Sequence, residues 1–293
     1  MIDAPRDTDP HIRNPDVSKI LRNLLDRETI QSLDDLRSAQ SRYCHTYYGD
    51  EHGKTPPDSD EILSRESRRI RRYSLRQAID WLYPATPPSK ILECGSAGDA
   101  SIAMEYPQSH VDSVDIDKGM FIFNLYDGLP RELFEAIGMK KYGVVGLGLR
   151  YPLQSDRINS IIKNSIPNLT THVKDANKMD FPTESADLAL VQGTPDMLNF
   201  LPEMTRLIKP HRHIVSVVYD DHHQYPAHSA YAMNRYNGWP EFTFQSDERL
   251  RDLRLQRIQV PDSLRQLENL VTYRNKRGKQ FGAGVVFEVF QKK

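Results

Sequence analysis

The stretch Ile91-Leu92-Glu93-Cys94-Gly95-Ser96-Ala97-Gly98-Asp99 decides how this chain is read. A short apolar run of strand length ends in an acid and then breaks into small residues. Twenty residues beyond Gly95, Asp115 sits near the end of a second apolar run, Val111 to Ile116. That is the layout of a nucleoside-binding crevice at the carboxyl end of a parallel sheet. The small residues let backbone approach a ligand closely, and a carboxylate at the end of the second strand can accept hydrogen bonds from ribose hydroxyls.

Two kinds of nucleoside fit such a crevice, and the acids separate them. A dinucleotide site needs a turn that receives a pyrophosphate at a helix N-terminus, usually through G-x-G-x-x-G. Here Ala97 takes the middle glycine position and Glu93 places a carboxylate just ahead of the turn. Negative charge there opposes a pyrophosphate. S-adenosylmethionine carries an ammonium and a sulfonium and no phosphate, so an acid at position 93 suits it better.

From these residues outward the chain resembles the class I S-adenosylmethionine-dependent methyltransferases, in particular those acting on small molecules. Ile91 to Asp99 matches their first motif, with Gly95 kept and Ala97 and Asp99 standing where further glycines are common. Asp115 matches the acid of the second strand, followed by Met120. Val173-Lys174-Asp175-Ala176 with Met179-Asp180-Phe181-Pro182 resembles the adenine-contacting block, and Ser185 to Val191 the fourth strand. Glu203-Met204-Thr205-Arg206-Leu207-Ile208-Lys209-Pro210 resembles the helix that leads into the fifth strand. Five blocks in the family's order, over about Ile91 to Val218, are a far more specific signal than one glycine loop.

The resemblance implies an α/β fold: a doubly wound, Rossmann-like sheet of about seven strands with a C-terminal antiparallel pair, preceded by an N-terminal helical extension. It implies an enzyme that uses S-adenosyl-L-methionine and releases S-adenosyl-L-homocysteine. Glu93, Gly95, Ala97, Gly98, Asp115, Ile116, Asp175, Ala176 and Gln192 are then the expected cofactor residues. Asp115 would hold the ribose and Asp175 the adenine amine. Glu93 would meet the ammonium, directly or through water; its other reading is to orient backbone amides around the crevice.

Along the chain, residues 1–60 form the expected helical extension, which is one of two lid candidates. Ile20, Leu21, Leu24, Leu25, Leu33 and Leu36 give it an amphipathic pattern, and Tyr43, Tyr47 and Tyr48 give it rings. Tyr47 and Tyr48 are the expected substrate contacts, against the ordinary reading that tyrosines simply pack. Residues 61–293 form the expected methyltransferase domain, opening with a helix from Glu61 to Leu82 that Pro84 ends. Between Met120 and Val173 lie 52 residues, more than the fold requires, which marks an insertion around 121–165. A lid, an oligomer contact and a plain elaboration all remain open for it.

Methyl transfer is an in-line displacement at an activated sulfonium carbon, so holding the acceptor in line supplies much of the acceleration. A base matters when the acceptor must lose a proton. His222 and His223, after the fifth strand, are the preferred catalytic candidates because imidazole titrates near neutrality; exposed loop histidines are the bland alternative. Asp221, His222, His223 and His228 match no metal-ligand spacing, so no metal is expected. His211-Arg212-His213 replaces the glycine pair that often follows the Lys-Pro of the family, and reads as a structural turn.

Bulk properties set the remaining bounds. A net charge of -1 over 293 residues gives no global pull toward nucleic acid or an anionic membrane. Arg65, Arg68, Arg69, Arg71, Arg72 and Arg76 form a basic cluster that could meet an anionic substrate or RNA, although a solvated face paired with local acids is the simpler reading. Two cysteines, Cys44 and Cys94, make no disulfide scaffold and suit a reducing, cytoplasmic setting. No apolar run reaches membrane-spanning length, and the first residues lack the apolar core of a signal peptide.

The expected acceptor is therefore a small metabolite or natural product, oxygen slightly ahead of nitrogen, with no membrane partner, nucleic acid disfavoured and a homo-oligomer left open. The alternatives are an RNA or protein methyltransferase docking through the arginine helix, a binding protein that keeps the fold without catalysis, and a nicotinamide-dependent oxidoreductase, which Glu93 and the later blocks disfavour.

Overall fold

The computed structural model describes residues 29–48, 59–95, 100–115, 166–192, 197–220, 247–265, 267, 271–274 and 280–293, with 19 and 23 as isolated positions. Helix α1, Leu33–Tyr48, begins at Ser32, whose Oγ accepts the backbone N–H of Asp35 at 3.1 Å. Leu36 and Ala39 are fully buried and Leu33 and Tyr43 pack partly against them, a three-to-four residue spacing that puts one face inward. Helix α2, Ser59–Leu82, repeats the pattern with Ile70, Tyr73, Ala78 and Ile79, and stops ahead of Pro84.

Strand β1, Lys90–Cys94, follows, then the short helix α3, Ser101–Glu105, and β2, His110–Asp115. Next come β3, Leu169–Val173, β4, Ala186–Gln192, helix α4, Met197–Leu207, and β5, Ile208–Asp220. The C-terminal part holds α5, Asp247–Asp252, β6, Leu255–Arg257, α6, Asp262–Arg265, β7, Val271–Arg274, and β8, Gln280–Lys292.

The strands form one eight-stranded sheet in the order β3-β2-β1-β4-β5-β8-β6, with β7 paired to β8 off that path. Neighbours from β3 to β5 are all parallel, while β8 runs antiparallel to β5, β6 and β7. The expected doubly wound sheet is therefore present, with the seven-stranded path extended by β7. The expected closing antiparallel pair is β7 against β8. The sequence reading had no counterpart of β6, three residues long.

Alternation along β1 divides the interior into two cores: Ile91 joins a cluster with α1, α2 and α3, while Leu92 and Cys94 join one covered by α4. Ile30, Leu36 and Ala39 belong to the same cluster as Ile79, Ile91 and Leu188, so the helical extension shares the core of the sheet. Full burial of an Ile or Leu side chain contributes about 1.5–3 kcal/mol, so this packing is a substantial hold on α1.

The amino ends of the strands are pinned by Asp187. Its carboxylate accepts Ser89 Oγ at 2.6 Å, Lys90 N at 3.0 Å and Lys209 Nζ at 2.9 Å, tying β4 to the starts of β1 and β5. Burial alone would raise its pKa, but these donors hold it below the usual carboxylate range. These contacts give Asp187 a structural role at the head of β4. His211 adopts φ 62°, the left-handed setting that glycine fills most easily, within a register shift between Ala186 and Leu188. The turn expected at His211-Arg212-His213 is instead an irregularity within β5, with histidine in the left-handed position.

Candidate functional site

The site is built at the carboxyl end of β1. Gly95 follows the strand with φ 71°, where a Cβ would crowd the following carbonyl, and its N–H donates to the carbonyl of Val114 on β2 at 3.1 Å. The N–H thus carries the β1–β2 ladder one residue past Cys94, where the left-handed φ takes the backbone out of the extended conformation. Glu93 pairs in register with Ser113 on β2 and Leu190 on β4, and its side chain is 1% exposed. Asp115 ends β2 half-buried, while its carbonyl accepts the N–H of Lys174 at 2.9 Å. By strand alternation Glu93 and Asp115 lie on the same face of the sheet.

Cys94, between them in chain order and fully buried, has its thiol pushed well above the ordinary range by burial and by the charges of Glu93 and Asp115. It is held as a neutral thiol, with Sγ 3.8 Å from Met204 Sδ, and is unsuited to act as a nucleophile.

The block after β3 forms a second wall. Asp175 Oδ1 accepts both the N–H and the Nδ2 of Asn177 at 2.9 Å, and the Asp175 carbonyl accepts Lys178 N at 3.1 Å, so a short turn fixes the exposed carboxylate. Ala176 packs against the second core.

What holds this wall is the pair Glu203 and Arg206 on α4. Glu203 Oε1 accepts the N–H of Met179 at 2.9 Å, while Arg206 donates to the carbonyls of Met179 at 2.8 Å and Phe181 at 2.9 Å. Arg206 also grips Glu203 at 2.6 Å, and this donor keeps the Glu203 carboxyl below its usual range despite opposing burial. The sequence pattern flagged both residues as part of a block but gave no role to either. The signal that could have assigned it is their spacing of three on one helix, which lets a carboxylate and a guanidinium grip the same strand of backbone.

Other expected residues fall differently. Ala97, Gly98, Ile116, His222 and His223 lie outside the described residues. For Tyr47, Tyr48 and Gln192 the backbone alone is described: the tyrosines close α1, and Gln192 is the last residue of β4. Among the described residues no group of His, Cys, Asp or Glu is arranged to hold a metal ion, and no helix is long and apolar enough to cross a membrane.

The arginine helix departs in part from the solvated face paired with local acids that the sequence suggests: the pairing is present, but not every arginine is solvated. Arg72 is buried, donating to Glu105 on α3 and to Thr29, and Arg76 donates to the Ile30 carbonyl at 3.1 Å. Glu66, fully buried, receives Arg42 from α1 at 3.1 Å and Arg65 and Arg69 from its own helix at 3.1 and 2.7 Å. These arginines join α1, α2 and α3.

No protein-family model matches the chain, and no curated protein matches it. Among solved structures it is similar to geranyl diphosphate C-methyltransferase from Streptomyces coelicolor A3(2), at 13% identity over 96% of this chain and 100% of that one, with a TM-score of 0.49. A geranyl diphosphate methyltransferase bound to S-adenosylmethionine matches at 13% identity over 85% and 95%, with a TM-score of 0.47. The aminoglycoside resistance methyltransferase NpmB1 matches at 15% identity over 76% and 93%, with a TM-score of 0.41. Likenesses this distant bear no weight beside the strand order and the Gly95 turn.

Proposed function

We propose that this chain is an S-adenosylmethionine-dependent methyltransferase acting on a small organic acceptor. The observation that carries the reading is the left-handed Gly95 at the end of β1, with the carboxylates of Glu93 and Asp115 at the neighbouring strand ends. Asp115 receives the ribose hydroxyls, and the Asp175-Ala176 turn lines the adenine. Glu93, being 1% exposed, orients backbone amides around the crevice, the second of the two roles expected of it. Ala97, Gly98, Ile116 and Gln192 complete the cofactor pocket.

In the reaction the acceptor atom attacks the methyl carbon as the bond to sulfur breaks. The sulfonium becomes a thioether, S-adenosylhomocysteine, and an acceptor proton passes to a base. His222 or His223 serves as that base for a hydroxyl acceptor. The expected lid has support in the helix lengths. α2, with 24 residues, extends about 36 Å, whereas β1, with five, covers about 17 Å. The lower end of α2 is fixed at the amino ends of the strands by Tyr83, whose OH donates to the Asp187 carbonyl at 2.7 Å. The lid is proposed for the opposite end of α2, at Ser59, together with the Tyr47-Tyr48 end of α1 that precedes it in the chain.

The separation of roles is tested by Asp115→Ala beside the double variant His222→Ala/His223→Ala. Loss of hydrogen bonds to a carboxylate costs about 1.5–3 kcal/mol, so Asp115→Ala should weaken S-adenosylhomocysteine binding by about tenfold or more. The double variant should bind it normally and lose turnover. Equal loss of binding in both variants would undo the assignment, and full turnover in the double variant would remove the histidines as bases.

A further inference from the structure

Strand β3 carries a histidine that the methyl-transfer reading leaves unused. His172 pairs in register with Val114, whose carbonyl accepts the Gly95 N–H, and Val173 beside it pairs with Asp115. The next N–H, that of Lys174, donates to the Asp115 carbonyl at 2.9 Å, and Asp175 follows. By alternation His172 stands on the sheet face opposite Asp115. There its ring meets Phe181, in the loop after β3, edge-on with 4.9 Å between centroids.

The imidazole links the sheet to that loop. Its Nε2 lies 2.8 Å from Oδ1 of Asp112, a buried carboxylate on β2. Burial would raise the Asp112 pKa, but bonds from His172 and Lys90 bring it down to about 2, so it accepts as an anion throughout the neutral and mildly acid range. Phe181, braced by His172, also takes the ammonium groups of Lys174 at 5.3 Å and Lys90 at 5.9 Å. Lys174 bonds Asp180, whose carboxyl is held below its usual range first by Lys174 and, among smaller influences, by His172. The charged and titratable groups around the imidazole are thus Lys90 on β1, His110 and Asp112 on β2, and Lys174 and Asp180 in the loop, while Glu203 and Arg206 of α4 hold the loop backbone. Lys90 and Lys174 are each paired with one of the two acids, and the Asp112 carboxylate touches the ring directly. A proton on His172 therefore gains more attraction than repulsion.

We propose that His172 is a positioning residue for the cofactor: its charged form, held by Asp112, fixes Phe181 and with it the Asp175-Ala176 turn, so that cofactor affinity rises as pH falls through the imidazole range. This inference rests on the adenine role proposed for that turn. Imidazole is the side chain whose charge ordinarily changes between pH 5 and 8. Neutral His172 still donates from Nε2, but it then faces Asp112 without a charge of its own. A ligand that needs the fixed loop binds the protonated protein more tightly, and by linkage its binding favours the proton on the ring. The gain is complete while the ring is charged and is lost as pH rises.

The test is calorimetric titration of the full chain with S-adenosylhomocysteine and with adenosine, from about pH 5.5 to about pH 8. Adenosine has no group that changes charge over that span, so any slope it shows belongs to the protein. Both ligands should bind about fivefold more tightly at the acid end. His172→Gln keeps a donor for Asp112 but takes up no proton, and it should bind at the weaker, high-pH level throughout. His110→Gln, which alters the exposed neighbour, should keep the slope of the unaltered chain. A merely structural role would lower affinity in His172→Gln by one factor at every pH and leave the slope in place. That outcome would overturn the proposal, as would loss of the slope in His110→Gln. A flat profile in the unaltered chain would overturn it too and leave the methyl-transfer reading standing. No binding of S-adenosylhomocysteine at any pH would overturn that reading and the positioning role together.

Discussion

Gly95 adopts φ 71° while its N–H is held by Val114, so the residue is fixed in a conformation that an L-residue with a Cβ enters at a cost of about 1–2 kcal/mol. The same missing Cβ lets a ligand approach the backbone. Gly95→Ala should therefore lower unfolding free energy by about 1 kcal/mol and weaken S-adenosylhomocysteine binding by about tenfold, read by urea unfolding and by calorimetry. Lower stability with unchanged binding would mean that the turn serves the fold alone. This residue was legible in the sequence because its demand is local: an apolar run, an acid and then glycine specify a turn without reference to distant parts. Arg72 was not legible. A guanidinium on a charged helix reads as exposed, and only the distant Glu105 and Thr29, 33 and 43 positions away, reveal that it is buried.

At the scale of elements, the hydrogen bonds of α4 to the loop after β3 are the least predictable part of the site and among the most consequential. They link residues 24 to 27 positions apart, through backbone groups that carry no sequence signature. Arg206→Ala would leave the carbonyls of Met179 and Phe181 without their donor and Glu203 without its cation. The expected cost is about 1–2 kcal/mol of stability, kept modest because Arg206 is partly solvated. Adenosine affinity should also fall, since the Asp175-Ala176 turn belongs to the same loop. Retained affinity for S-adenosylhomocysteine in a destabilised Arg206→Ala protein would show that this clamp and the cofactor wall are independent.

Strands β1, β2, β4, β5, β7 and β8 were read because alternation and length are carried by each segment, whereas β3, Leu169–Val173, was not read as a strand. The partners of α1 were not: its amphipathic pattern announced a buried face, but not that Ile30, Leu36 and Ala39 would join the core of the sheet. Likewise β6 is too short, at three residues, to leave a period, and exists through its pairing with β8.

For the whole molecule, a parallel sheet switches direction at β1, where β2 and β4 lie on either side, and this is the place where open α/β sheets bind their ligands. The fold alone does not choose the ligand, since many chemistries share such a crevice. In the proposed reading the choice rests on Glu93 just ahead of Gly95, whose charge opposes a pyrophosphate and suits a cationic sulfonium nucleoside. Calorimetric titration of the purified chain with S-adenosylmethionine, S-adenosylhomocysteine and NADH in parallel tests that claim most directly. Saturable binding of both sulfur nucleosides, with none of NADH, is the predicted result. NADH binding, or no binding of either sulfur nucleoside, would contradict it.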